Sequence, residues 1–501
     1  MSKRRWIAAL AALVLILGAV TAYALLRPRG DVSDPGVAFE EPSPTATATP
    51  TAPGKGNKKR KRAADAADSF VWPRYGYTKD HRRVFKPEEP VRGPWRRVWK
   101  HRAPALLEFP PVIAGRFLYQ LADNGRLAAI VKRTGRVRWK RKLGTLAAST
   151  PAFEDGHLYV SILETGSKRG RVVSLRARDG KISWSRTLPS RTESSPLVHN
   201  GKVFVGSENG TLYALREETG RVQWTYRAAG AIKGSPTFSG GLLYFGDYGG
   251  RVQAVRASNG MRVWNNDAAR ALLRGGEYYA TAAVAFGRVY IGATDGRMYS
   301  FSARNGRLAW AYQTGRYVYS SAAIDTVPKV GPTVFFGSYD GRFYAVDARS
   351  GRVRWRHVSG GRISGSPTIV GDTVYFADLG RRVTIGLRTS DGGRAFRFPQ
   401  GAYDPVVSDG RYLFVTGAFG LHAFLPRQEA VKSKSAGKAG ASKKPKPGAG
   451  RRTRPDTDED RRPRADSRRG QTDSRRLQSK ASPPIASANA PPAGPQRPPA
   501  I

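Results

Sequence analysis

The chain of 501 residues holds no cysteine, three methionines and six histidines. Without cysteine there is no disulfide, thiolate metal site, iron–sulfur cluster or covalently attached c-type haem, and no cysteine to carry a lipoprotein anchor. The histidines, at 81, 101, 157, 199, 357 and 422, lie scattered without metal-ligand spacing. Those at 157, 199, 357 and 422 fall at expected turns or strand ends and read as surface residues. No glycine-rich phosphate loop opens a helix, and no G-x-S-x-G elbow occurs. Acid is also scarce. The 38 Asp and Glu against 85 Lys and Arg leave a formal charge of +47. The excess runs through every part of the chain, so its whole surface attracts polyanions. Nucleic acid, anionic lipid headgroups and acidic wall polymers all fit that description.

Long apolar runs are missing but for one, "WIAALAALVLILGAVTAYALL" at Trp6–Leu26. As a helix it spans roughly 31 Å, the thickness of a bilayer's hydrocarbon core. Lys3, Arg4 and Arg5 precede it, which favours residues 1–5 inside and the body exported. A cleavable signal peptide is the rival reading, because "AYA" at Ala22–Ala24 fits a small-x-small cleavage site. The expectation is an uncleaved single-pass anchor over 6–26 with the body outside the cytoplasm. Residues 27–70 form a Pro/Thr/Ala spacer running into the basic cluster Lys58–Arg62, and read as linker. Residues 71–94 are a lead-in, and 427–501 read as a disordered, polycationic, Pro-rich tail.

Between these flanks the chain repeats itself. "TGRVRW" ends at Trp139 and "TGRVQW" at Trp224, with looser copies at Trp184, Trp264, Trp310 and Trp355. Trp99 stands one period ahead of them, and Phe396 takes the eighth place. A period just above 40 residues marks a repeat architecture. Within one unit, "GSPTFSGGLLYFGDYGGRVQAVRASNGMRVW", four short runs alternate in polarity between Gly-containing turns, which spells a four-stranded antiparallel meander. Such a sheet cannot bury both faces alone; stacked radially, each covers the next. The glycine then makes the last hairpin turn, and the tryptophan on the outermost strand fills the gap between blades. Seven complete units end at Trp139 through Phe396. Residues 402–425 supply only three strands, and "PWRRVWKHR" at 94–102 supplies the missing fourth. The fold expected over 95–426 is therefore an all-β, eight-bladed β-propeller closed by its two ends, which leaves no open sheet edge between blades.

These units resemble the PQQ-type repeat with its "A-L-x-x-x-T-G-x-x-x-W" tryptophan-docking signature. The resemblance covers about residues 95–425. It implies the propeller fold and leaves chemistry open, because the family holds quinoprotein alcohol dehydrogenases and non-catalytic propellers such as the outer-membrane assembly lipoprotein. Its enzymes are expected to hold a quinone and Ca²⁺ in a central funnel, often beneath a disulfide of adjacent cysteines. That disulfide cannot form here, and no carboxylate set or catalytic Asp can be placed. Neither PQQ nor Ca²⁺ is therefore expected.

Aligning the eight innermost strands on Pro111, Pro151, Pro196, Pro236, Ala282, Ala322, Pro367 and Pro405 gives a further expectation. Three residues upstream, Glu108, Glu193, Lys233, Tyr279 and Tyr319 break an otherwise small position and become candidates to line a ligand funnel. The competing reading has them pair with one another and stiffen the mouth. Thr150, Ser195, Ser235, Thr281, Ser321 and Ser366 recur at one position and read as structural hydroxyls. Three functions remain. The chain is a membrane-anchored, non-catalytic binding or scaffold module whose partner is an envelope protein or anionic wall polymer. Alternatively it is a quinone-dependent dehydrogenase, or a nucleic-acid binder acting through its tail, a reading that the exported location disfavours.

Overall fold

A computed structural model describes residues 31–42, 68–267, 276–401, 403 and 406–427. The expected anchor, most of the expected linker and the expected tail lie outside the described residues. Eight antiparallel sheets form the expected ring. Blades 1 to 7 run over residues 112–142, 152–188, 197–227, 237–266, 283–313, 323–358 and 368–398. Blade 8 takes three strands from 406–426 and its outermost strand, Trp95–Arg102, from the other end of the body. Ala423 pairs with Trp99 there, so the two ends close the ring as expected. A buried ion pair, Lys132 Nζ to Asp409 Oδ2 at 3.0 Å, joins blades 1 and 8 beside the seam.

The recurring Gly and Trp serve different neighbours. The indole N–H of Trp99, Trp139, Trp184, Trp264, Trp310 and Trp355 donates to a backbone carbonyl of the next blade at 2.7–3.1 Å. Its ring lies on the glycine of that blade's last turn. Gly220, at φ +66°, shows why only glycine serves: an added Cβ would stand 2.5 Å from Trp184 Cε3. Gly260 receives Trp224 in the same way. The turn therefore needs glycine for its left-handed backbone and again for the approach of the ring. Opposite each tryptophan on the third strand sits a small residue, Ala214 facing Trp224 and Ser300 facing Trp310, followed by a register shift. Phe396 occupies the eighth place without a donor, and packs edge-on against Trp95, Tyr375 and Phe424.

Two segments that composition assigns to linker and lead-in are built into the ring. Val32–Ser33 adds a fifth strand to blade 5, with Ser33 opposite Trp310. That cover is why Trp310 is fully buried while the tryptophans of most other blades stay partly open. Residues 70–85 run round the inside of the channel and visit blades 1 to 7 in order. Val71–Trp72 pairs with the innermost strand of blade 1, and Val84–Phe85 pairs in parallel with that of blade 7. Between them the carbonyls of Pro73, Lys79, Asp80 and Arg82 accept the amides of Phe153, Phe238, Val284 and Ile324 at 2.7–2.9 Å. Innermost strands offer unpaired N–H groups to the channel, and this loop satisfies them. Its curl requires left-handed backbone at Tyr77, His81 and Arg83.

Candidate functional site

The eight innermost strands begin at one mouth of the channel, beneath a belt of hydroxyls. The amides of Thr150, Ser235, Thr281 and Ser321 donate to the hydroxyls of Ser195, Thr281, Ser321 and Ser366 in the following blades at 2.9–3.0 Å. These recurrent positions are blade-to-blade ties. Tyr75, from the loop inside the channel, reaches the same level: its hydroxyl meets Ser366 Oγ at 2.9 Å and its ring lies edge-on to Phe109.

Above the belt stand the repeat-specific residues. Glu193 and Lys233, on blades 3 and 4, form a 2.9 Å ion pair, and Lys233 lies 3.8 Å from Glu208. The Tyr279 hydroxyl donates to Glu193 Oε2 at 3.4 Å. Tyr319 packs edge-on against Tyr279 with ring centroids 5.4 Å apart. Four of the five expected residues therefore form one connected group across blades 3 to 6. Glu108, on blade 1, is buried and close enough to Tyr279 to oppose ionisation of its phenol.

Burial holds the Glu193 carboxyl above its usual range, against the pull of Lys233. It also raises the phenols of Tyr248, Tyr279 and Tyr319, with neighbouring carboxylates adding to the effect. These tyrosines stay neutral hydrogen-bonding groups with apolar faces. The group can grip a ligand by stacking, by phenolic hydrogen bonds and by one ion pair.

Residues beyond the expected five complete the mouth. Tyr248 carries Lys233 over its ring at 5.4 Å. Tyr339 stacks edge-on with Tyr319 at 5.0 Å, and Tyr317 lies 5.7 Å from Tyr319. Arg362 sits 5.8 Å over Tyr339. Their signal lay in two further repeat positions. Glu208, Tyr248 and Tyr339 share the turn after the second strand; Glu277, Tyr317 and Arg362 stand two residues upstream of the expected ring. The two positions touch in every such blade, because the turn residue's amide donates to the upstream carbonyl, as in Tyr339 to Tyr317 at 2.9 Å. Tyr317 also edges a cleft of about 440 Å³ between blades 5 and 6, lined by Asp295, Gln313 and Arg316. Among the described residues no three His, Asp or Glu side chains converge as a metal ion requires.

The histidines need one correction. His422 is not a surface residue: it lies within a blade 8 strand, fully buried, with neither ring nitrogen hydrogen-bonded. Burial, with Arg97 and Lys100 nearby, lowers its pKa to about 4. Strand pairing with Trp95–Arg102 covers it, a consequence of the ring closure.

The family described as outer membrane protein assembly factor BamB matches residues 94–162, 123–327 and 275–430, which together span two thirds of the sequence. The chain belongs to that family. No curated protein matches it. Among solved structures, BamB from Moraxella catarrhalis is 18% identical, with a TM-score of 0.53 over 66% of this chain and 97% of that one. The quinohemoprotein alcohol dehydrogenase ADHIIG from Pseudomonas putida HK5 is 14% identical, with a TM-score of 0.60 over 79% of this chain and 84% of that one. The quinohemoprotein alcohol dehydrogenase from Comamonas testosteroni is also 14% identical, with a TM-score of 0.57 over 74% and 84%. At these identities the likeness is one of fold, and BamB-type and quinoprotein propellers share it.

Proposed function

We propose that this chain is a non-catalytic binding module of the cell envelope, anchored by residues 6–26, whose tyrosine-lined mouth takes a partner protein. The carrying observation is the mouth itself: tyrosines from blades 4, 5 and 6 in mutual contact around a Glu–Lys pair, with Tyr317 46% exposed at the rim. Tyrosine supplies large contact area at little entropic cost, as protein interfaces favour. Membership of a family described as an assembly factor points the same way. The exported location and the membrane anchor belong to this proposal and rest on the sequence.

On this proposal the attachment of Asp31 also sets the orientation of the module. Asp31 accepts the backbone amide of Gln313, beside the cleft at Tyr317, at 2.9 Å. Only residues 27–30 separate it from the apolar run, five Cα steps and a reach of about 18 Å at most. Where 6–26 spans the bilayer, the blade 5–6 side of the mouth is held beside the membrane.

The likeness to quinohemoprotein dehydrogenases favours a second reading, and the residues do not fit it. A quinone site of that kind needs oxygen ligands for a cation. Here Glu193 is engaged by Lys233 and Tyr279, and the loop carrying Tyr75 fills the channel up to the hydroxyl belt. Catalysis by this route is therefore not proposed. The test places a photo-crosslinking residue at Tyr317 and, as control, at Val222 on the blade 3 edge, in envelopes of the native cell. A discrete protein adduct at Tyr317 alone is expected; no adduct, or the same adducts from both sites, refutes the reading. Incubation with PQQ and Ca²⁺ should give no bound chromophore, and stoichiometric binding with dye reduction would establish the dehydrogenase instead.

A further inference from the structure

Basic residues are frequent throughout the chain, yet on the ring's outer edge they are not evenly spread. The outermost strands of blades 8 and 1, "WRRVWKHR" at 95–102 and "VRWKRK" at 137–142, hold eight Lys and Arg and no acid. Those of blades 3, 4 and 5, "VQWTYR", "RVWNN" and "LAWAYQ", hold two in all. Arg97, Lys100 and Arg102 of blade 8 and Arg136, Arg138 and Lys140 of blade 1 are all exposed. Among the described residues none of these six has an ion-pair partner. The two strands belong to neighbouring blades in separate sheets, which meet at the seam. The Trp99 indole donates to Lys132 O at 2.9 Å, and its ring rests on Gly135, just ahead of Arg136 and Arg138.

Edge charges also discourage strand addition, but that duty explains one or two per blade, which is what blades 3 and 4 carry. On blade 1, Arg138, Lys140 and Lys142 alternate along the strand, so their side chains share one face about 6.8 Å apart. Such a ladder of cations matches a flexible chain with one anion per repeat. Within the two strands Trp95, Trp99 and Trp139 are half-buried, and an exposed ring, Phe419, stands at the turn beside Arg102, whereas sites for single-stranded nucleic acid set successive base-stacking platforms along their basic groove.

We propose that the joined outer edge of blades 8 and 1 binds a linear, base-free phosphodiester polymer, such as a poly(glycerol phosphate) of the cell wall. This surface is separate from the tyrosine mouth and stands whether or not the mouth takes a protein. The test uses the full chain, whose basic tail contributes equally to every variant. Binding of poly(glycerol phosphate) is measured across a salt series for the wild type and two charge-matched variants. One carries Lys100→Gln, Arg136→Gln, Arg138→Gln and Lys140→Gln; the other carries Arg221→Gln, Arg227→Gln, Arg256→Gln and Arg262→Gln on blades 3 and 4. Circular dichroism confirms that both fold. Each lost phosphate contact removes about 0.7 from the log–log salt slope. The first variant should therefore bind more than ten-fold weaker at physiological salt, with a slope lower by about 3, and the second within two-fold of wild type. Equal losses in both variants, or none in the first, overturn the proposal. Tighter binding of oligo(dT) than of poly(glycerol phosphate) at equal phosphate number overturns it in favour of nucleic acid, and equal binding of poly-glutamate overturns the phosphodiester assignment.

Discussion

Two glycines with almost the same backbone angle separate the demands that the blade interface makes. Gly220 has φ +66° and Gly201 has φ +67°. An alanine Cβ at 201 meets nothing within 4 Å; at 220 it meets Trp184 Cε3 at 2.5 Å. Gly201→Ala then costs only the left-handed backbone, about 1 kcal/mol. Gly220→Ala costs the same plus the overlap with a ring wedged between blades, about 2 kcal/mol more. Trp184→Ala alone loses the burial and the 2.7 Å bond to Glu217 O, about 3–4 kcal/mol in total. In the double variant the alanine no longer meets a ring, so the two changes should be non-additive by about 2 kcal/mol. Urea unfolding followed by near- and far-ultraviolet circular dichroism reads the midpoints, provided the slope is unchanged between variants. If Gly220→Ala and Gly201→Ala shift the midpoint equally, or the double variant shows simple additivity, the repeat's glycine is a turn residue only and the docking argument fails.

Two further outcomes follow from buried groups. His422 is neutral in the fold, with a pKa of about 4, against about 6.5 when unfolded. The unfolded chain therefore binds the extra proton between these values. Stability is complete above pH 6.5 and falls, by about 3 kcal/mol, as pH drops through 4. His422→Gln should flatten that part of the urea-midpoint-against-pH curve, and parallel curves would show that His422 does not cause it. The loop over 70–85 predicts slow amide exchange at Phe153, Phe238, Val284, Ile324 and Ile369, whose N–H groups all end on its carbonyls. Hydrogen–deuterium exchange on a chain with residues 73–83 replaced by a Gly/Ser linker should release these amides, while the strands behind them stay protected.

The eight blades were legible because their packing is written in side chains. A Gly four residues before a Trp, and a small residue opposite that Trp, recur in blades 1 to 6. Ring closure was legible for the same reason, since Trp99 kept the period at the far end of the body. The loop in the channel left no such mark. Its bonds run from backbone carbonyl to backbone amide, which almost any side chain permits, so residues 70–85 read as a lead-in. Residues 31–42 were masked by their spacer-like composition, although Val37 is buried and Arg288 holds the carbonyls of Val37 and Ala38. At the mouth, comparing one repeat position found Glu193, Lys233, Tyr279 and Tyr319. Tyr248, Tyr317, Tyr339 and Arg362 needed the same comparison at the neighbouring turn and two residues upstream, and the sequence carried it there too.

The loop also bears on why one fold serves both binding and redox chemistry. A propeller's channel is lined by strand edges with free donors, and something must satisfy them. In this chain the donors are met by its own residues 73–85, and Tyr75 carries that filling up to the hydroxyl belt. The space left for a ligand is then the mouth above the belt, where the side chains vary from blade to blade. A chain that fills its channel with its own backbone keeps a tyrosine-edged rim, the surface that the proposed binding role uses. Removing the loop therefore leaves the innermost amides of blades 2, 4, 5, 6 and 7 with only water to bond, while the strands behind them keep the ring.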